Sequence, residues 1–484
     1  MDSIKNKAIK GTIWSGVEKL SSDTIQFVVT IIMARILMPD DYGTIGVLLV
    51  FISFSSIFIE GGMTTALIQK RNRTEDDFHT AFIYNIVTAF FIYSFLFLLS
   101  PCIAQFYERN DLTLLLRVLS LTVIAVSFAS VQTVYLTIKL DFRKICIVSI
   151  LSGLLSGSLG IYSAHKGFGI WAIVIQQLSY QFLRSLILYI ISEWHPKFRF
   201  SKKSFDELFS FGIKLVLTNF LAKTYENLYP LVIGKLYPMK ILGYYTRGQQ
   251  FSSLPVSILT QIFMRVSFPV MSSIKDDDGR LRHAYRTYIS LSSFIVFPTM
   301  FILIIIARPL VLVVLTQKWL ECVPFLQILS FGFMFNHIST INLNLLFVEG
   351  RSDLALKLEL IKKTIAISIF LVSTIWGILG VCIGQAFYSL IATFLNSKYT
   401  YDILKVSYFD QIKDFGIIWI ISATSCIIPS FIISIIDNFY CQIFVGIFIY
   451  ISFYLMINYL FSTNAFNYAK MTFKQFVRNN NNSK

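Results

Sequence analysis

Lys19, Asp23 and Gln26 interrupt an otherwise apolar run between Ile13 and Leu37. Their spacing of i, i+4, i+7 places all three on one face of a helix. A second run, Phe211 to Tyr237, carries Asn219, Lys223 and Glu226 at the same three positions, 200 residues further on (Lys19 to Asn219, Asp23 to Lys223, Gln26 to Glu226). The register persists without a gap, setting Arg35-Ile36 against Lys235-Leu236 and Gly43 against Gly243. Charged and amide side chains in an apolar helix are costly unless they face water, protein or a ligand. Two matching stripes therefore imply a polar cavity between two related halves, the arrangement expected of a transporter. The same residues allow a plainer reading. Lys19 and Asp23 are one helical turn apart and can neutralise each other as a structural pair, and Asp23 and Glu226 can each serve as the local counter-ion of Lys19 and Lys223.

The elements that must carry these stripes are membrane helices. The chain has 484 residues, 55% of them hydrophobic and 16% aromatic, with a mean hydropathy of +0.66. Apolar runs long enough to cross a bilayer recur along the whole length, giving an all-α polytopic membrane protein. The runs are continuous rather than alternating, which excludes a porin-type barrel. About 14 transmembrane helices are expected, from the first near 13–37 to the last near 440–461. No cleaved signal peptide is expected, because the first helix is too long and too polar for one. The net charge of +15 does not require nucleic acid, since basic residues collect in cytoplasmic loops. Alternate loops hold about 26 cations on one side and about 5 on the other, which predicts an even span count with both termini in the cytoplasm. The six cysteines form no C-x-x-C pair, and neither a disulfide nor a metal site is expected.

The 200-residue offset crosses six spans, so the two halves share one orientation about an axis along the membrane normal. The expected organisation is a six-helix half over 1–195, a second over 205–400, two additional helices over 401–462 and a cytoplasmic tail over 463–484. The basic linker His195 to Lys203 joins the halves, and the tract Asn479 to Asn482 is expected to lack regular structure.

Other polar positions have two readings each. Arg247, with Gln250 one turn on, can bind an oxyanion or extend to the outer headgroups. Asn336, Thr340 and Asn344, with His337 and Asn342 nearby, can meet a polar solute or bond between helices. Asp40 and Asp41 stand in a turn too short for an acceptor site, so they read as turn and cap residues. Connections are short throughout, which leaves no room for a catalytic domain, and an enzyme is not expected.

A set of local sequences narrows the class. Gly61-Gly62-Met63-Thr64-Thr65-Ala66-Leu67-Ile68-Gln69-Lys70 is similar to the turn after the second helix of Wzx-type polysaccharide flippases. Val131-Gln132, Leu140-Asp141-Phe142-Arg143, Gly167 to Ala172 with Gln176-Gln177, Leu242-Gly243-Tyr244-Tyr245, Phe268-Pro269 and Lys318-Trp319 follow in the same order. Over about residues 8–400 the chain resembles the multidrug/oligosaccharidyl-lipid/polysaccharide (MOP) exporter superfamily, and most of all its teichuronic-acid and colanic-acid exporter branch. The resemblance implies a MATE-like fold of two six-helix repeats plus two helices, in the bacterial cytoplasmic (inner) membrane. It implies a flippase that moves undecaprenyl-pyrophosphate-linked oligosaccharide to the outer leaflet by alternating access, for O-antigen, capsule or exopolysaccharide biosynthesis. Membrane lipids, a polymerase and chain-length machinery are the implied partners. Lys19, Lys223 and Arg247 would then hold the pyrophosphate, and Gln26, Asn219 and Gln250 would meet the substrate beside them. Asp23 and Glu226 would bind a coupling H⁺ or Na⁺, with no other cofactor. A cation-coupled drug or small-molecule antiporter of the same superfamily is the alternative; it calls for acids without a cationic stripe.

Overall fold

The computed structural model describes residues 2–463, 465–468 and 470–471, with side chains from Lys10 onward. Of the tail expected over 463–484, residues 464, 469 and 472–484, with the Asn479–Asn482 tract, lie outside the described residues. Among the described residues the regular structure is helical, with no strand. The chain divides into two compact units, Met1–Gly243 and Tyr244–Lys484.

The first unit contains α1 (Asp2–Ile36), α2 (Pro39–Glu60), α3 (Met63–Gln69), α4 (Glu75–Phe106), α5 (Asp111–Leu119), α6 (Leu121–Ile138), α7 (Phe142–His165), α8 (Ile170–Ile191) and α9 (Lys202–Leu236). At its end α10 (Met239–Ser273) begins. Local chemistry sets several of these boundaries. Pro39 opens α2, where its missing N–H costs nothing, and the Asp41 carboxylate accepts from Met38 N–H at 2.9 Å. Asp141 and Ser201 cap α7 and α9 through their side-chain oxygens. The turn between α7 and α8 passes through Gly167 and Gly169, both at positive φ.

α1 lies along α7 because α7 offers it a row of small residues. A Cβ on Gly157 would come 2.4 Å from Val29, and one on Gly153 would come 3.2 Å from Ile25. Small residues at four-residue spacing let two membrane helices approach this closely. α9 packs on α2, α3 and α4, although by sequence it opens the second repeat. Its Gly212 seats against the backbone of Gly62. The linker before it is held in place: Lys197 N–H donates to His79 Nδ1 at 3.2 Å, and Ser201 N–H to Thr80 Oγ1 at 3.0 Å. Met63, Leu67, Phe82, Val134, Trp194 and Leu208 form one apolar core beneath it.

The second unit continues with α11 (Asp278–Ile305), α12 (Ala307–Val314), α13 (Val323–Phe333), α14 (Asn336–Val348), α15 (Ser352–Ser373), α16 (Gly377–Leu404), α17 (Tyr408–Thr424), α18 (Ile427–Ile435) and α19 (Phe439–Leu460). α11 packs on α13, α14 and α17, α16 on α13, α14 and α15, and α19 on α12 and α18. Gly377, at φ +72°, breaks the path from α15 into α16.

Among the described residues ten helical segments are long and apolar enough to cross a membrane, and the chain is a multi-pass membrane protein. One of them, Ser352–Leu404, holds both α15 and α16. α1, α8 and α9 fall outside the ten, and α1 and α9 carry the two polar stripes.

Candidate functional site

On α1, Glu18, Ile25, Val29 and Met33 turn toward α7: the Ser149 hydroxyl donates to Glu18 at 2.8 Å, and the three apolar side chains meet the α7 glycines. Lys19 and Asp23 stand off that contact face. Their Nζ and Oδ1 are 3.0 Å apart, with side chains 59% and 56% accessible. Gln26 does not join them in a hydrogen bond, and its Oε1 accepts from Gln176 of α8 at 3.3 Å. The structure therefore brings together two members of the expected stripe and ties the third to a neighbouring helix.

The equivalent stripe on α9 has the same character. Lys223 and Glu226 form an ion pair at 2.5 Å, with side chains 44% and 58% accessible. Asn219 lies against the Gly61 turn, where a Cβ on the glycine would meet its amide at 3.0 Å. α9 is pinned at both ends. Lys70 pairs with Glu207 at 2.8 Å near its start. Near its end Lys235 donates to Glu108 at 2.9 Å and to the Phe106 carbonyl at 2.7 Å, and Tyr107 donates to the Leu231 carbonyl at 3.2 Å. The middle of the helix, with its ion pair, stays open. Each stripe thus presents a cation already matched by an acid, in the open rather than inside a packed interface.

In the second unit Arg247 donates to Gln250 on the same face of α10. Gly248 and Ser252 fix that part of α10 on α13: a Cβ at Gly248 would meet Phe325 at 2.9 Å, and the Ser252 hydroxyl donates to the Leu326 carbonyl at 3.1 Å. The α14 amides are used between helices. Asn342 is buried and bonded to Tyr285, Gln411 and Thr400. Asn336 accepts from Ser389, and the His337 ring is hydrogen-bonded to Ser293. Interhelical bonding thus accounts for Asn336, His337 and Asn342. Asp40 pairs with Arg109 at 3.0 Å and Asp41 caps α2, so both are turn residues.

A family model described as polysaccharide biosynthesis protein matches residues 32–324. The chain belongs to that family. It is 25% identical over 357 residues to the teichuronic acid biosynthesis protein TuaB of Bacillus subtilis (strain 168), covering 73% of this chain and 74% of that one. It is 24% identical over 397 residues to the lipopolysaccharide biosynthesis protein WzxC of Escherichia coli (strain K12), covering 81% of each. Among solved structures it is similar to the lipid II flippase MurJ in its inward closed conformation, with a TM-score of 0.71 at 16% identity, over 92% of this chain and 99% of that one. At that identity the likeness is one of fold, and it agrees with the all-helical architecture expected from the sequence.

In this polysaccharide biosynthesis family member, the Gly61–Lys70 motif has a clear mechanical role. Its glycines admit α9, and its terminal Lys70 reaches Asp77 at 2.8 Å as well as Glu207. Two charged residues are not singled out by the sequence pattern. Glu60 ends α2 directly before that motif, and Arg184 is the one cation within the apolar run of α8. Both line one cavity. A lone arginine in an apolar run is the available signal; nothing in the sequence joins it to Glu60, 124 residues earlier (60 to 184).

Proposed function

We propose that this polysaccharide biosynthesis protein is a flippase that carries undecaprenyl-pyrophosphate-linked oligosaccharide from the cytoplasmic to the outer leaflet of the bacterial inner membrane. On this reading both termini are cytoplasmic, the repeats over 1–195 and 205–400 alternate access, and a polymerase consumes the delivered unit. The observation that carries the reading is the pair of accessible lysine–carboxylate bridges, Lys19–Asp23 and Lys223–Glu226, at repeat-related positions. Family membership and the relatives named for polysaccharide biosynthesis support it.

The chemistry follows from the pairing. A pyrophosphate cannot cross hydrocarbon unaided, and fixed cations replace part of its lost hydration. A lysine held by a carboxylate is a moderate rather than a tight phosphate site, and a carrier needs moderate binding so that it can release its load. Taking up H⁺ or Na⁺ at Asp23 or Glu226 would free the neighbouring lysine for phosphate, and losing the ion would return it to the carboxylate. That exchange gives one arrangement both substrate binding and coupling. Gln26 and Asn219 are the neighbouring amides, and Arg247 with Gln250 is a further anion-binding pair on the second unit.

The test is a flipping assay in proteoliposomes of the full chain. Lipid-linked oligosaccharide from the source organism is loaded, and its arrival in the far leaflet is read with a membrane-impermeant periodate step. Lys19→Ala and Lys223→Ala should each slow arrival about tenfold, the loss expected from one charge-assisted contact. Arrival at the wild-type rate in the double variant overturns the reading.

A further inference from the structure

The ends of α2 and α3 and the middles of α6 and α8 line an open pocket of about 180 Å³ in the first unit. That is room for about six waters, the scale of one sugar ring with its hydroxyls. Glu60 and Arg184 both line it, and neither makes an ion pair among the described residues. Gln181 and four hydroxyls, those of Thr64, Thr65, Ser130 and Thr133, complete its polar lining.

The hydroxyls decide what the cavity can take. Each has already committed its proton to a helix carbonyl. Thr64 and Thr65 both donate to the Glu60 carbonyl, at 2.5 and 3.2 Å. Ser130 donates to the Ser127 carbonyl at 2.8 Å and already accepts from the Asn85 amide at 2.9 Å, which leaves it one lone pair, and Thr133 donates to the Ala129 carbonyl at 2.9 Å. What these oxygens still offer is lone pairs. With the Glu60 carboxylate, the lining is rich in acceptors, and its donors are the Arg184 guanidinium and the Gln181 amide. A ligand that fits must therefore bring many O–H donors and at least one acceptor. A cation fits poorly beside the guanidinium, and among the described residues no group of three or more His, Cys, Asp or Glu side chains could hold a metal ion. An anion such as the pyrophosphate fits poorly beside Glu60 and the hydroxyl lone pairs. Ile68, Val126 and Val134 supply an apolar wall, which suits the C–H face of a ring.

We infer that this cavity is a sugar-binding subsite, with Glu60 and the threonine oxygens accepting from sugar hydroxyls and Arg184 donating to a ring or carbonyl oxygen. The inference rests on the flippase reading and separates its labour: the lysine bridges take the phosphate and this cavity takes part of the oligosaccharide.

The test compares two lipids on the full chain in nanodiscs: the lipid-linked oligosaccharide extracted from the source organism, and undecaprenyl pyrophosphate without sugar. Glu60→Gln and Arg184→Gln should each weaken binding of the sugar-bearing lipid roughly tenfold or more, while the sugar-free lipid binds as to wild type. Thr65→Val, nearly isosteric, should weaken only the sugar-bearing lipid, by a few-fold, and keeps the subsite testable should a charge variant fail to fold. Equal loss for both lipids, or no loss for either in the folded variants, overturns the subsite. Wild-type protein that binds neither lipid overturns the flippase reading itself, and the subsite with it.

Discussion

Gly43 and Gly243 occupy reciprocal positions in one helix crossing. A Cβ on Gly43 would lie 1.8 Å from the Met239 carbonyl oxygen, and a Cβ on Gly243 would lie 1.9 Å from the Pro39 carbonyl oxygen. Residues 39 and 239, like 43 and 243, are 200 residues apart, the offset of the two polar stripes, so the contact maps onto itself when that offset is applied. The sequence offset thus has a physical counterpart: two helix starts, α2 and α10, meet through backbone at matched points.

Gly43→Ala and Gly243→Ala should therefore be strongly destabilising, by roughly 3 kcal/mol each, because backbone rather than a flexible side chain must move. Thermal unfolding in detergent should show a lower midpoint for each. Gly16→Ala, where an added Cβ meets nothing within 4 Å, is the control and should leave the midpoint unchanged or raise it.

Lys70 should be more costly to lose than its place in a basic loop suggests. Its partner Asp77 has a fully buried side chain, while Lys70 itself is 23% accessible and also holds Glu207. Lys70→Met strands the buried carboxylate, at a cost of about 2 kcal/mol once partial exposure is allowed for. Adding Asp77→Asn should restore much of the midpoint, because the uncompensated charge is gone. A double variant no more stable than Lys70→Met would mean that the amide cannot replace the carboxylate at the α4 cap, where Asp77 also accepts from Thr74 N–H at 2.8 Å.

Glu193 follows α8 and bridges Lys139 at 2.9 Å and Lys144 at 3.1 Å. Hydrogen bonds from the two lysines and their charge bring its carboxyl down to about 2. The folded value lies below the unfolded one, so the bridge contributes fully above the ordinary glutamate range and fades as pH falls toward about 2. The unfolding midpoint of wild type should therefore drop between pH 5 and pH 3 by more than that of Glu193→Gln. Identical pH profiles would show that the bridge does not contribute to stability.

These residues also show what a sequence can and cannot reveal. The stripes on α1 and α9 are legible because helical periodicity and a constant offset are properties of one strand of text. The role of Gly43 is half legible, as a repeated glycine without its partner carbonyl. Spacing assigns Gln26 to the stripe, but spacing is blind to Gln176 on α8, which donates to the Gln26 amide oxygen. Likewise, nothing in the spacing around Glu18 points to Ser149 of α7, whose hydroxyl donates to it. The Glu60–Arg184 cavity needs α2, α3, α6 and α8 to converge, and no periodic signal encodes that.

Lys19 and Asp23 allow the sharpest separation of a structural bridge from a working one. Both side chains are more than half accessible, so the bridge should contribute under about 1 kcal/mol to stability, and Lys19→Ala should insert and unfold like wild type. Were the pair only structural, Lys19→Ala with Asp23→Ala would transport normally, since no charge is left stranded. If Lys19 holds phosphate, the double variant stays as slow as Lys19→Ala. Asp23→Asn then gives the opposite sign. It frees Lys19 permanently, so undecaprenyl pyrophosphate should bind more tightly while flipping slows, because release is no longer driven by return of the lysine to its carboxylate. Binding in nanodiscs and flipping in proteoliposomes, measured on the same preparations, read the two quantities apart. Tighter binding with slower flipping is the expected signature for Asp23→Asn, and normal flipping by the double variant removes Lys19 from the phosphate site.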